Sequence, residues 1–297
     1  MNPELSRTRG LLAVLTASTA FSWGFVLAKM VGLPPPTIAF VRLWLGGFAL
    51  LAVALAIHAP RPKHLGSLIA AGVFFAMNQV LYIYASVHTS IAIVTLISAL
   101  QPLLVGILSP WAVDERPAKS LLFWALVAVV GVAIVVWANQ DHASQSLLGN
   151  LLSVANLLAF TAYFLFTKRA RNEGTHTIFV TAGPVLVAAL LITPTLLLEG
   201  NYEEPSTKQL GLILLILLGP SNGHLLVNWA HRHISAALSS LVLTAVPLLA
   251  SLWAFWVFDE PYGPWQILGT LVVALAVEAG RRAEWSRLSV PVAGSRD

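Results

Sequence analysis

The chain has 297 residues, of which 57% are hydrophobic and 10% charged, against about 25% charged in an ordinary soluble domain. With a mean hydropathy of +0.79, no soluble fold of this length buries that much apolar surface and still covers itself with polar groups. This excludes a cytosolic enzyme, a nucleic-acid binder and a disordered protein, and the absence of cysteine removes disulfides, thiol ligands and redox motifs.

At about 20 apolar residues per crossing, the sequence reads as an all-α polytopic membrane protein with ten transmembrane helices. Apolar runs broken by turn residues place them at 11–31, 36–57, 65–86, 90–112, 119–137, 147–168, 177–198, 208–230, 234–257 and 264–283. The runs are too long for strands, and the short alternating segments of a membrane barrel are absent from the sequence. The first run follows Arg7 and Arg9, as a signal peptide would. Its length, the lack of a clean A-x-A site and its later partner in the chain argue for a span instead.

In chain order, the first span holds Ser22 and Trp23. The second opens after Pro34-Pro35-Pro36 and carries Arg42 about two turns in, for which snorkelling to the interface is the default reading. The third carries Asn78, Gln79 and Tyr82. The fourth has Thr95, Ser98 and Pro102 on one face, with Gln101 adjacent. The sixth has Ser153, Asn156, Phe160 and Tyr163 along one stripe. The eighth is the most polar, with Gly219-Pro220-Ser221-Asn222-Gly223-His224 and then Asn228. Pro220 removes a backbone donor and disturbs a carbonyl one turn back, so free carbonyls and His224 become candidate ligand contacts. The ninth repeats the pattern of the fourth with Ser240, Thr244 and Pro247. In the tenth, Glu278 sits three and four residues before Arg281 and Arg282, which reads as a solvated helix pair. The residues after Arg282 are polar and read as a short disordered cytoplasmic end.

Polar residues in mid-span are costly unless they face protein or water. The substrate-binding candidates are therefore Trp23, Asn78, Gln79, Tyr82, Gln101, Asn156, Tyr163, Ser221, Asn222, His224 and Asn228. The prolines that interrupt helices, Pro102, Pro220 and Pro247, are the gating candidates. No metal-ligand or cofactor motif is present, so none is expected.

Lys and Arg set the orientation. With both termini in the cytoplasm, all of the 17 basic residues except Lys29, Arg42 and Lys208 fall on the inner side. The expected location is the plasma (inner) membrane.

The chain also repeats itself. At an offset of 145, His88, Ser90, Pro102, Trp111, Asp114 and Glu115 fall on His233, Ser235, Pro247, Trp256, Asp259 and Glu260. The same offset aligns Gln79 with His224. At an offset of 139, Lys29 falls on Lys168. Spans one to five and six to ten are thus two copies. An odd number of helices per copy makes the second enter from the opposite side, an inverted-topology repeat. Asp114-Glu115 and Asp259-Glu260 read as loop charges or gate contacts.

Trp23-Gly24, the Pro34-Pro35-Pro36 turn followed by Arg42, and the run Tyr84-Ala85-Ser86-Val87-His88-Thr89-Ser90 followed by Pro102 and Asp114-Glu115 together resemble the EamA family of the drug/metabolite transporter superfamily. The resemblance spans nearly the whole chain. It implies EamA-like repeats at 1–140 and 141–283, with 284–297 as a cytoplasmic tail, in a carrier of small metabolites that is often an exporter.

The reading is therefore a secondary transporter of small organic solutes, such as amino acids or related compounds, not an enzyme. Its partners are the solute and the lipid bilayer, not nucleic acid; protons, proton antiport or facilitated diffusion, and oligomeric state stay open. A channel or membrane scaffold is the alternative. So is an intramembrane hydrolase, since Gly219-Pro220-Ser221-Asn222-Gly223 matches G-x-S-x-G with His224 beside it. That motif needs a strand-turn-helix context, and no mid-span carboxylate is available to orient the histidine.

Overall fold

The computed structural model describes residues 3–138, 146–199, 202–259 and 262–289, and these are helical with no strand among them. Glu260, one of the expected acidic closures, lies outside the described residues. Three uninterrupted helices come first: α1 (Pro3–Val31), α2 (Pro35–Ala56) and α3 (Gly66–His88). Proline at the start of α2 presets its backbone angle where no intrahelical N–H partner exists.

The fourth expected span is two helices, α4 (Ile91–Ser98) and α5 (Gln101–Ala112). Pro102 sits in the first turn of α5. Having no N–H, it cannot continue the ladder from α4, and the chain crosses the gap on a tight turn, Leu100 N–H to the Ile97 carbonyl. Next come α6 (Lys119–Ala138), α7 (Leu147–Asn172) and α8 (Thr177–Glu199). The eighth expected span comprises α9 (Thr207–Ile216), a π turn over Leu217–Ser221 that contains Pro220, and α10 (Asn222–Ala230). The ninth is split like the fourth, into α11 (Ala236–Leu243) and α12 (Val246–Phe258), with Pro247 in the first turn of α12. Ser90 and Ser235, equivalent at the 145 offset, each cap the helix that follows, α4 and α11.

Among the described residues, nine helical stretches are long and apolar enough to cross a membrane. The last helix, α13 (Pro264–Ser289), expected as the tenth span over 264–283, is not one of them. Gln266 lies in its first turn, and its second half carries Glu278, Arg281, Arg282, Glu284 and Arg287, which shorten its apolar stretch. The same charges correct the disordered end expected after Arg282, because the helix runs on to Ser289. Glu284 is 1% exposed, accepts the Ala118 backbone N–H at 2.8 Å and pairs with Arg287.

Packing follows a regular scheme. α3 lies along α7 and α8, while α1 lies along α9, α10 and α12; α2 pairs with α8, α5 with α11, and α6 with α13. The α6–α13 crossing is made at two glycines. A β-carbon on Gly131 would come 2.9 Å from the Gly269 carbonyl oxygen, and one on Gly269 would come 2.6 Å from that of Gly131. Backbones approach this closely only where both side chains are absent, a common device between membrane helices.

Side-chain contacts sort the two ends of the bundle. One end, here the basic end, joins Ser6 to His233, Ser67 to Glu173, Asn172 to the Val113 carbonyl and Lys168 to Glu115. The opposite end joins Ser146 to the His88 carbonyl, Thr89 to Asn150, Gln209 to the Val31 carbonyl and Lys29 to the Phe258 ring.

Candidate functional site

Two polar groups in mid-bundle connect helices from both halves of the chain. The first is a string. Arg42 Nη2 on α2 donates to Gln79 Oε1 on α3 at 2.9 Å. Gln79 Nε2 donates to Asn78 Oδ1 at 3.2 Å, and Asn78 Nδ2 donates to Asn156 Oδ1 on α7 at 2.7 Å. A guanidinium is donor-only, so Arg42 fixes the direction of all three amides. The guanidinium therefore turns inward to α3 rather than snorkelling to an interface, correcting the default reading of the sequence.

The second group surrounds His224 on α10. Its Nδ1 lies 3.1 Å from the Tyr163 hydroxyl of α7. Phe21, Phe75 and Tyr163 meet the imidazole edge-on at 4.8, 5.3 and 5.8 Å between ring centroids. Tyr163 is itself stacked on Phe75 and Phe160. Asn228, one helical turn past His224, reaches the Tyr163 hydroxyl and donates to Thr181 Oγ1 of α8 at 3.1 Å. The local backbone permits this crowding, because a β-carbon on Gly223 would strike the Phe21 ring at 2.8 Å. Phe75 precedes Asn78 by one turn on α3 and brings the two groups side by side. Arg42 is within electrostatic reach of His224.

Other candidates stand apart. Trp23 stacks on Trp253 of α12 at 5.0 Å, and Trp253 Nε1 donates to Ser22 Oγ at 2.8 Å. Gln101 is buried at the start of α5 with its amide nitrogen unpartnered. Asn222 does not join the cluster. Its amide nitrogen donates to the Leu218 carbonyl of its own helix at 2.8 Å. Ser221 Oγ is buried without a hydrogen-bond partner, and His224 Nδ1 is engaged by Tyr163. Ser221 and His224 are therefore not joined as the nucleophile and base of the hydrolase alternative would be. Ser240 and Thr244 bond the carbonyls of Ala237 and Leu241 in their own turns, the packing role such residues usually have.

Two clefts open toward the opposite end. One, of about 640 Å³, lies among Pro34–Pro36, Tyr82, Ser86, Tyr202 and Glu203. A neighbouring one of about 530 Å³ has Pro36, Ala39, Gln79, Ile83 and Ile192 in its wall. They share Pro36, Ile83 and Val87. Tyr82 lines the first and Gln79 the second, so the string from Arg42 reaches a cleft wall.

The basic end is closed by a charged contact that the sequence reading left as loop charges or gate contacts. Lys168 Nζ meets Glu115 Oε1 at 2.6 Å and donates to the carbonyls of His231 and, at 3.0 Å, Ile234. Glu115 Oε2 accepts the Ala236 N–H at 2.7 Å, at the N-terminus of α11, where a helix favours negative charge. His233, bonded to Ser6, has its pKa held below the usual histidine value by burial and by Arg171, Arg232, Arg9 and Lys168. Sequence reasoning missed the aromatic walls Phe21, Phe75 and Trp253, because rings in an apolar helix carry no pattern that separates a cluster from a lipid face. Glu278 does pair with Arg281 and Arg282, as its spacing implied.

The comparisons with known proteins agree with this picture. A protein-family model described as the EamA-like transporter family matches twice in succession, over residues 8–137 and 147–277. The Pseudopaline exporter CntI of Pseudomonas aeruginosa (strain UCBPP-PA14) is 25% identical over 287 residues, covering 95% of this chain and 98% of that protein. Solute carrier family 35 member G1 of Homo sapiens is 24% identical over 131 residues, covering 44% of this chain and 35% of that protein. A chain of known crystal structure superposes with a TM-score of 0.81 at 19% identity, covering 96% of this chain and all of that one, which shows a shared fold. With the family model covering both halves of an apolar, helical chain, the protein belongs to the EamA-like transporter family of the drug/metabolite transporter superfamily.

Proposed function

We propose that the chain is a secondary transporter that exports a small organic solute, such as an amino acid or related compound, by alternating access. In this reading ten helices cross the plasma (inner) membrane as two inverted five-helix halves, 1–140 and 141–283, with both termini cytoplasmic. The observation that carries it is that polar groups of the two halves meet in mid-bundle, Asn78 of the first half bonding Asn156 of the second beside the Tyr163–His224 pair of the second half.

Three further features support it. The family model matches once in each half. Much of the packing scheme keeps its form when each helix is exchanged for its counterpart: α3 on α7 answers to α9 and α10 on α1, while α2–α8 and α6–α13 map onto themselves. The loops and helix ends on the side of the closing contact also carry Arg61, Lys63, Arg116, Lys119, Arg169 and Arg171, as a cytoplasmic face requires. The outward direction rests on the relative that is named an exporter. With the basic end closed and the clefts at the other, this conformation faces outward. Prolines 102, 220 and 247, at the two helix breaks and the π turn, are where helices bend between states.

The test is a metabolite survey of cells with and without the protein, comparing interior and medium, followed by flux of the responding solute in proteoliposomes. Flux that saturates with solute is the expected result. Flux that never saturates would make the protein a channel, and no change in any solute would refute the reading.

A further inference from the structure

Arg42 is a cation without a counter-charge. It lies inside the helix Pro35–Ala56, partly buried, and among the described residues its one hydrogen-bond partner is the neutral amide oxygen of Gln79. No carboxylate among them pairs with it. A guanidinium offers five N–H donors, so most of its capacity is uncommitted. Charge held at membrane depth is costly and marks a ligand or ion path. The contrast with the basic end is direct: there Lys168 meets a glutamate and two carbonyls, while Arg42 meets one amide.

Space for a ligand is adjacent. Gln79 and Ala39, the latter one turn before Arg42 on α2, line the cleft of about 530 Å³, which adjoins the larger one. The other polar groups nearby, Asn78, Gln79 and Asn156, are neutral. They bind one another in a direction set by Arg42, so the guanidinium is oriented and not merely tethered. One cation among neutral amides balances one negative charge. A phosphate ester, at about −1.5 to −2 near neutral pH, would exceed it.

We propose that Arg42 seats a carboxylate of the transported solute, with Gln79 as its positioning residue. This deepens the transporter reading and rests on it. The solute is then a small organic acid or zwitterion, held at its carboxylate by Arg42, with its remaining surface left to the neutral amides and rings around His224.

The experiment uses the full chain in cells, with the solute from the survey above and its methyl ester as a paired probe. Arg42→Ala and Arg42→Gln should lower export about tenfold or more, as loss of a charge-assisted contact does, at unchanged membrane levels measured by immunoblot. Arg42→Lys should retain part of the rate. The ester should fail to compete. Gln79→Glu is the decisive variant, because it gives Arg42 an internal partner. Gln79→Leu, which loses the same donation to Asn78 without adding a charge, is its control: with a merely structural arginine the two variants export alike, whereas a carboxylate seat is blocked by the glutamate alone and export falls further, as in Arg42→Ala. Full export by Gln79→Glu or Arg42→Ala, or competition by the ester equal to that of the acid, overturns the inference while leaving the transporter reading intact. A responding solute whose only anionic group is a phosphate overturns the carboxylate assignment. If no solute responds to the wild-type chain, the transporter reading fails and this seat fails with it.

Discussion

Glu115→Gln tests the closure of the basic end. The carboxylate holds Lys168 at 2.6 Å and the first backbone N–H of α11 at 2.7 Å, with the side chains of Lys168 and Glu115 only 5% and 21% exposed. At that separation the charge–charge attraction is roughly 6 kcal/mol for an effective dielectric of 20, most of it offset by desolvation. Removing one member of a buried pair costs about 3–5 kcal/mol, because the other charge stays behind. The glutamine oxygen keeps one hydrogen bond and Glu115 is partly accessible, so the low end, about 3 kcal/mol, applies. If the contact forms only when the basic end is closed, that figure moves the equilibrium toward the open form by roughly 100-fold. The chain has no cysteine, so a single introduced one reports without interference. Ser239, fully buried one turn into α11, becomes Ser239→Cys, and a membrane-impermeant maleimide is applied to inside-out vesicles. Labelling should be slow in the parent and at least tenfold faster with Glu115→Gln. Adding Lys168→Met should restore thermal stability but not slow labelling, since the stranded charge is gone and the closing contact is still missing. Equal labelling rates with and without Glu115→Gln would refute the closure argument.

Other outcomes follow from the geometry. Asn78→Ala and His224→Ala should each reduce solute flux several-fold in proteoliposomes while the protein still runs as a single peak on size exclusion; normal flux in both removes these residues from the site. Tyr163→Phe keeps the stack on Phe75 but strips the partner from His224 Nδ1, so the apparent KM should rise with little change in melting temperature. Gly131→Leu pushes a side chain against the Gly269 carbonyl and Val273, and should destabilise by about 1–3 kcal/mol or more in a thermal melt. Gly211→Ala, inside α9 with nothing within 4 Å of the added carbon, should raise the melt slightly, by about 0.5–1 kcal/mol of helix propensity.

Much of the helical layout was legible because long apolar runs leave few alternatives, and the breaks at Pro102, Pro220 and Pro247 were marked by residues that cannot extend a helix. Their form was not legible. Proline says that a ladder is interrupted, but neighbouring packing decides between the two-helix splits near 99 and 244 and the π turn at 217–221. The end of α13 was misread because polarity was taken for disorder, although Glu278, Glu284 and the arginines already carried helical spacing. At the candidate site, Asn78, Asn156, Tyr163 and His224 were visible as polar groups in apolar surroundings. Asn222 was visible for the same reason, yet it serves its own helix. A sequence gives no direction for a side chain whose alternatives are a ligand and a carbonyl four residues back. Arg42 was misjudged on the same ground, since snorkelling and inward pairing demand the same residue type.

The mutual glycine contact of α6 and α13 has a mechanical consequence. Beside the touching backbones only short valine side chains, Val135 on α6 and Val272 and Val273 on α13, lie against the glycines, so no long side chain there works as a ratchet that must be unlocked. What such a contact opposes is separation, and what it tolerates is a small rolling of one rod over the other. α6 and α13 pack mainly on each other, so they form a keel, around which the remaining helices can tilt while the hull of the protein keeps its place among the lipids.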